Sequence, residues 1–122
     1  MTPFQMSMNI EFTGAYSHLP IEPPEKSRLI AESASVFIKL PPGQRAYVEL
    51  LTNDAVMVGG RIYFSLQSQG TFDDGREVWT AAESARLYGS GVAPVSFHIV
   101  RNAGTGECWF EASIAGHLSS LP

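Results

Sequence analysis

The side chains able to do chemistry in this sequence are few and scattered. Cys108 is its one cysteine, and the three histidines stand at His18, His98 and His117. A cysteine with a histidine brought close in space could work as a thiolate nucleophile with its base. The histidines form no HxxxH or HxH pair that would present two ligands to one metal. Cys108 alternates with Phe110, Ala112 and Ile114. That spacing puts the thiol on an apolar strand face, where a cysteine is a small inert core residue.

The carboxylates point the same way. Asp73, Asp74 and Glu77 come nearest to a cation site. Calcium, however, needs roughly six to eight oxygens from a loop that wraps it. Here two carboxylates share a tight turn and the third points along a strand, so a solvated hairpin turn is expected. Glu107 and Glu111 flank Trp109. Four positions along a strand span about 13 Å. Glycosidase carboxyl pairs stand only about 5–9.5 Å apart. No Gly-rich phosphate loop, nucleophile elbow or HExxH motif occurs, and Gly89-Ser90-Gly91 reads as a connector. The expectation is a non-enzyme with no cofactor and no bound metal.

The aromatic residues carry more. Tyr47 precedes Val48, Tyr63 precedes Phe64 and Trp109 precedes Phe110. With the second of each pair in the core, strand alternation turns Tyr47, Tyr63 and Trp109 outward. Outward aromatics anchor protein interfaces or stack on sugar rings. Three readings stay open: cover by another part of the chain, a protein interface, or a glycan platform. Phe4, Phe12 and Tyr16, in the N-terminal segment, join Tyr47, Tyr63 and Trp109 as interface candidates. His98 faces away from Val95, Phe97 and Ile99, at the surface or at an interface.

The elements that must position these residues are strands. Met8–Phe12, Ala34–Leu40, Arg45–Leu51 and Arg61–Gln67 alternate with period two, with Ile62, Phe64 and Leu66 inward in the last. After a turn at Thr52–Asp54, Ala55–Val58 reads as a short buried strand or a strand after a bulge. Pro41-Pro42-Gly43 is a turn, and Asp74-Gly75 marks a hairpin with a type I′ turn. Val95–Val100 and Cys108–Ile114 around Asn102–Gly106 predict a further hairpin. Glu25–Ser33 lacks a clear face. Thr80–Arg86, with Glu83 three residues after Thr80, resembles a capping box and predicts one or two helical turns. Leu19-Pro20-Ile21-Glu22-Pro23-Pro24 is extended and unsuited to an inner strand. The sum is an all-β, single-domain antiparallel β-sandwich, jelly-roll or Ig-like, with at most one short helix. Residues 1–24 are expected to be an extended arm and residues 25–122 the sandwich.

Composition bounds the partners. The 122 residues carry 8 basic and 12 acidic side chains, a net charge of −4, and only 16% charged residues in all. Without a basic cluster, nucleic acid and anionic membrane surfaces are disfavoured. No apolar run approaches the 18 or so residues of a membrane helix, and no secretion signal is read at the N-terminus. A surface so poor in charge suits a polar uncharged β surface or a subunit of an assembly. In general build (small, acidic, charge-poor, all-β, with a Pro-rich arm) the chain resembles the head-decoration or cement proteins of tailed phages. That resemblance implies a homo-oligomeric protein that binds a capsid lattice, found in the virion or in the cytoplasm of the producing cell. The alternative is a carbohydrate-binding, lectin-like module.

Overall fold

Alternation of apolar and polar residues builds nine strands among the described residues. The computed structural model describes residues 1–52, 60–90 and 94–120. The strands are β1 (Thr2–Phe12), β2 (Tyr16–Ile21), β3 (Ser27–Leu40), β4 (Ala46–Thr52), β5 (Arg61–Tyr63), β6 (Gln67–Thr71), β7 (Glu77–Gly89), β8 (Val95–Arg101) and β9 (Cys108–Ser120). They form two antiparallel sheets, one ordered β1-β9-β3-β7-β6 and the other β2-β8-β4-β5. The described residues contain no helix. The expected Ala55–Val58 strand and the Asn53-Asp54 turn lie outside the described residues, as does Gly91 of the connector.

The pairings nest. β1 pairs β9, β2 pairs β8, β3 pairs β7 and β4 pairs β5. This is one long hairpin folded over on itself and wound into two layers, which is the jelly-roll arrangement. Phe97, Phe110, Ile38, Leu50, Ile99 and Ile114 fill the space between the layers and are essentially inaccessible to solvent. Each such side chain is worth roughly 1.5–3 kcal/mol of burial.

The predicted β8–β9 hairpin is corrected. The two strands are consecutive but lie in opposite sheets. Their apolar faces meet across the core, with Phe97 and Phe110 edge to face at 5.7 Å between centroids. Two strands that each bury one face are better joined face to face than edge to edge, because edge pairing leaves both faces still to be covered. The Asn102–Glu107 connection is therefore an arch between layers.

The helical turns expected over Thr80–Arg86 are also overturned, since this segment lies inside β7. An isolated helix this short is marginal in water. Pairing with β3 from Thr80 to Ser84, resumed at Leu87, and with β6 near its start supplies backbone hydrogen bonds, while Trp79 and Ala81 face the core opposite Ile38 and Val36. The Asp74-Gly75 hairpin is present but its turn is different. Phe72 N–H donates to Arg76 O and Gly75 N–H donates to Phe72 O, and Gly75 alone in the loop has positive φ, at 83°. Three loop residues with a left-handed glycine last make a type I turn with a bulge, not the two-residue type I′ turn.

Arg61–Gln67 is not one strand either. β5 ends at Tyr63 in the four-stranded sheet and β6 begins at Gln67 in the five-stranded one. Ile62, Phe64 and Leu66 nevertheless point inward, as their alternation requires. The boundary at residue 24 is corrected as well. β1 and β2 are edge strands of the two sheets, so the N-terminal segment belongs to its own sandwich and is no arm. Its apolar period-two face supplies the reason: Phe4, Met8, Ile10, Phe12 and Leu19 pack against the core. Pro20 sits in β2, at a sheet edge, where its missing N–H is tolerated.

Candidate functional site

The outer face of the four-stranded sheet gathers three exposed tyrosines and two of the three histidines. Strand register lines up one rank as His18, His98, Glu49 and Tyr63, and the next as Tyr16, Val100 and Tyr47. Tyr16, Tyr47 and Tyr63 are 51%, 50% and 58% exposed. Side chains directly opposite on one face stand close enough to interact, and these do. Tyr16 lies 6.1 Å from His18 and 5.7 Å from His98 between ring centroids, and His18 lies 6.0 Å from His98. Tyr47 and Tyr63 meet edge to face at 6.4 Å.

Polar groups fill the gaps between the rings. The Tyr16 hydroxyl is hydrogen-bonded to His98 Nδ1 at 2.8 Å. Glu49, largely covered, accepts the Arg61 guanidinium at 3.3 Å. Arg61 also donates to the Tyr63 hydroxyl at 3.3 Å and lies over its ring at 6.0 Å. The hydrogen bond to Tyr63 and the Glu49 charge hold the Arg61 guanidinium above its ordinary range. Burial lowers the His98 pKa, an effect that Glu49 opposes and that His18 and Arg61 reinforce. The result is a face with a Tyr16–His18–His98 cluster toward β2 and a Tyr47–Tyr63 pair toward β5, with Glu49 between His98 and Tyr63 in register and Arg61 beside Tyr63.

The interface candidates from sequence divide among three places. Tyr47 and Tyr63 point outward on one face and Tyr16 joins them. Trp109 also points outward, but on the five-stranded sheet, in rank with Glu11 and Lys39. Its indole N–H donates to Glu111 Oε1 at 3.0 Å. Phe4 and Phe12 turn inward and pack on the core, because they share the Met8 and Ile10 face of β1. Arg101 lies over the Phe12 ring at 5.8 Å.

The candidate chemical groups are placed as follows. Cys108 is fully buried, and burial pushes its thiol up to about 11. Asp74 is held by Arg76, at 2.9 Å, and by Lys39, at 3.7 Å. Its hydrogen bonds to the Arg76 backbone and side chain hold the carboxyl below its usual range. Glu77 accepts the Gly43 N–H and faces Arg45. Glu107 precedes β9 rather than lying on it. His117 meets Glu32 far from the other histidines. Among the described residues no three His, Cys, Asp or Glu side chains converge as metal ligands.

Sequence reasoning missed Glu49, Arg61 and His18 as parts of this patch. The parity that turns Tyr47 outward also turns Glu49 outward, so half of the signal was present. The register that sets His18 beside His98 across two sequence-distant strands was not.

No protein-family model matches this chain, and no curated protein does. Several solved structures resemble it distantly. One is a pilus subunit from the Bacillus endospore appendages described as disulfide-linked pili, with 17% identity over 99% of this chain and 90% of that one, TM-score 0.38. A second is a chain of the nora virus structure, 7% identical, covering 97% of this chain and 57% of that one, TM-score 0.43. A third is the Drosophila NLP core, described in terms of pentamer formation and histone binding, 12% identical over 93% and 98% of the two chains, TM-score 0.31. All are likenesses of β architecture. By its own strand order the fold of this chain is a jelly-roll-like sandwich.

Proposed function

We propose that this protein is a non-enzymatic structural component that docks on a protein lattice through the outer face of its four-stranded sheet. The observation that carries this reading is the display of Tyr16, Tyr47 and Tyr63, each about half exposed, on one sheet face, with Arg61 beside Tyr63. Tyr and Arg dominate the hot spots of protein interfaces, where a few rigid side chains supply most of the affinity. An exposed face of tyrosines suits a broad partner surface, whereas small substrates typically bind in concave pockets. The position of the candidate nucleophile supports the non-enzymatic part, because Cys108 is sealed in the core. Within this class, an accessory protein that decorates a capsid, present in the virion and in the cytoplasm of the producing cell, agrees with the small, acidic, charge-poor build.

The test is binding of the purified protein to particles assembled from the products of neighbouring genes. Tyr47→Ala with Tyr63→Ala should lower the amount bound at least tenfold at subsaturating concentration, the effect of losing about 1.4 kcal/mol or more. Undiminished binding by a folded double variant would remove this face from the reading.

A second reading is favoured by one feature. Glu49, His98 and Arg61 lie beside the tyrosines, where they could take sugar hydroxyls while the tyrosines stack on the rings. A glycan array decides it. Selective glycan binding that disappears with Tyr47→Ala and Tyr63→Ala would favour the lectin-like role over lattice docking.

A further inference from the structure

The four sheet edges of this sandwich are not treated alike. A free strand edge offers unpaired backbone groups to other chains, and soluble proteins blunt such edges. β2 has six residues with Pro20 among them. β5 has three residues and begins with Arg61. β6 has five residues and a register shift between Ser68 and Gly70. β1 is different. It runs for eleven residues, pairs β9 in unbroken register along all of them, and has no strand on its other side among the described residues. Between Thr2 and Ile10 it carries no charged side chain, and its only proline is Pro3, near its start. Its apolar face is incompletely covered, with Met6 41% exposed.

We propose that the free edge of β1 is a dimerisation edge, where β1 pairs antiparallel with β1 of a second copy of this chain across a two-fold axis. Three features commit the edge to a second copy. First, the partner must be an extended strand, because what the edge lacks is a hydrogen-bonding ladder of about 37 Å at 3.4 Å per residue. Second, β1 is complementary to itself. Full overlap of Thr2–Phe12 with its symmetry mate puts Ser7 opposite Ser7, Met6 opposite Met8, Phe4 opposite Ile10 and Gln5 opposite Asn9. That register keeps the apolar residues of both copies on one side and the polar ones on the other, as period-two pleating requires. Third, the charge pattern permits it. The chain carries a net charge of −4, so two copies repel at most places. At β1 they meet through uncharged residues, and Glu11 falls opposite Pro3. An isologous contact closes on itself, so the edge is used up and open-ended growth is prevented. The five-stranded sheets of two copies then become one continuous sheet. This edge lies outside the tyrosine face and is independent of the lattice-docking reading.

Sedimentation equilibrium of the full chain, with circular dichroism as the check on folding, tests the proposal. Ser7 is exposed and its hydroxyl is hydrogen-bonded to the Ser113 hydroxyl at 2.9 Å, so Ser7→Lys and Ser7→Glu leave the core untouched. The wild type is expected to be a dimer. Each variant alone is expected to be a folded monomer, because like charges then face each other at the axis. An equimolar mixture of the two variants is expected to return to dimer mass. A monomeric wild type, or variants that dimerise like the wild type, would overturn the proposal. If the variants fail to fold, hydrogen exchange of the wild type decides. Slow exchange of both alternating sets of β1 amides supports the pairing, and fast exchange of the set facing away from β9 overturns it.

Discussion

Gln44 Oε1 accepts two hydrogen bonds from Arg101, from Nε at 3.1 Å and from Nη2 at 2.7 Å. Both residues are buried, Arg101 to 3% exposure. The remaining guanidinium donors go to the carbonyl oxygens of Gly14, Thr105 and Gly106. Gln44 in turn donates to Thr105 O at 2.7 Å. A buried cation thus lies in a cage of neutral oxygens that ties together the β1–β2 turn, the β3–β4 turn and the β8–β9 arch. Burial of a charge is tolerated only when its donors are satisfied in this way.

Breaking that cage should be costly. Gln44→Leu removes the acceptor of two charge-assisted bonds, each worth about 1.5–3 kcal/mol. We expect a stability loss of about 3 kcal/mol or more in urea unfolding, with the sheet fold retained at low denaturant. A loss under about 1 kcal/mol, the size of one ordinary neutral hydrogen bond, would mean that the guanidinium finds water or another acceptor.

Gly116 marks a second point where the backbone leaves no room. A Cβ there would overlap the Ile30 carbonyl, beside the irregularity between Ala31 and Ser33 where β3 changes register against both of its neighbours. Gly116→Ala is therefore expected to destabilise by about 1–3 kcal/mol, the usual range for overpacking. Thermal unfolding of this variant beside Gly104→Ala, at the β8–β9 arch, gives the comparison. At Gly104 the added methyl meets backbone at 3.1 Å and should be milder.

The same irregularity explains why part of the sequence was hard to read. Leu29 and Ala31 face the core, then Ala34, Val36, Ile38 and Leu40 do. The extra residue at Glu32 switches the parity, so Glu25–Ser33 shows no continuous face although β3 runs from Ser27 onward. The all-β sandwich itself was legible from clean alternation in Ala34–Leu40, Arg45–Leu51 and Val95–Val100. Which strands pair was not legible, because β8 and β9 look like a hairpin until their two buried faces are set against each other. Arg101 did leave a signal. It follows Val95, Phe97 and Ile99 on the inward parity, and an arginine there has to find buried acceptors. The tyrosine patch was half visible: alternation turned Tyr47 and Tyr63 outward, but only the pairing of β2 with β8 adds Tyr16 and His18.

Stability should depend on pH through His98. Its folded pKa is depressed, chiefly by burial, against about 6.5 in an unfolded chain. As pH falls through that value the unfolded chain takes up the proton first. Stability is therefore complete above about pH 6.5 and declines as pH falls from there through the folded pKa. The Asp74 contribution lies lower, because its depressed carboxyl is lost only below its ordinary value of 3.8. Urea midpoints at pH 7.5 and pH 5 should differ for the wild type and differ less for His98→Gln. An equal difference in both proteins would assign the dependence to other groups.

The last prediction separates the two outward aromatic surfaces. Tyr63 and Trp109 both follow from alternation as exposed anchors, yet they lie on opposite sheets. Tyr63 stands 58% exposed beside Tyr47 and Arg61. Trp109 is half-buried, with its one donor already engaged by Glu111. A side chain already satisfied within its own sheet has less to offer a partner. Interface anchors typically lose about 2 kcal/mol or more on truncation to alanine, whereas neutral neighbours lose little. Tyr63→Ala should therefore lower partner binding about thirtyfold, while Trp109→Ala should change it by less than about threefold, both with folded dichroism spectra. Titration calorimetry or surface binding against the identified partner reads the two values. The reverse order would move the docking surface to the five-stranded sheet, and equal large losses would require a partner that wraps both layers.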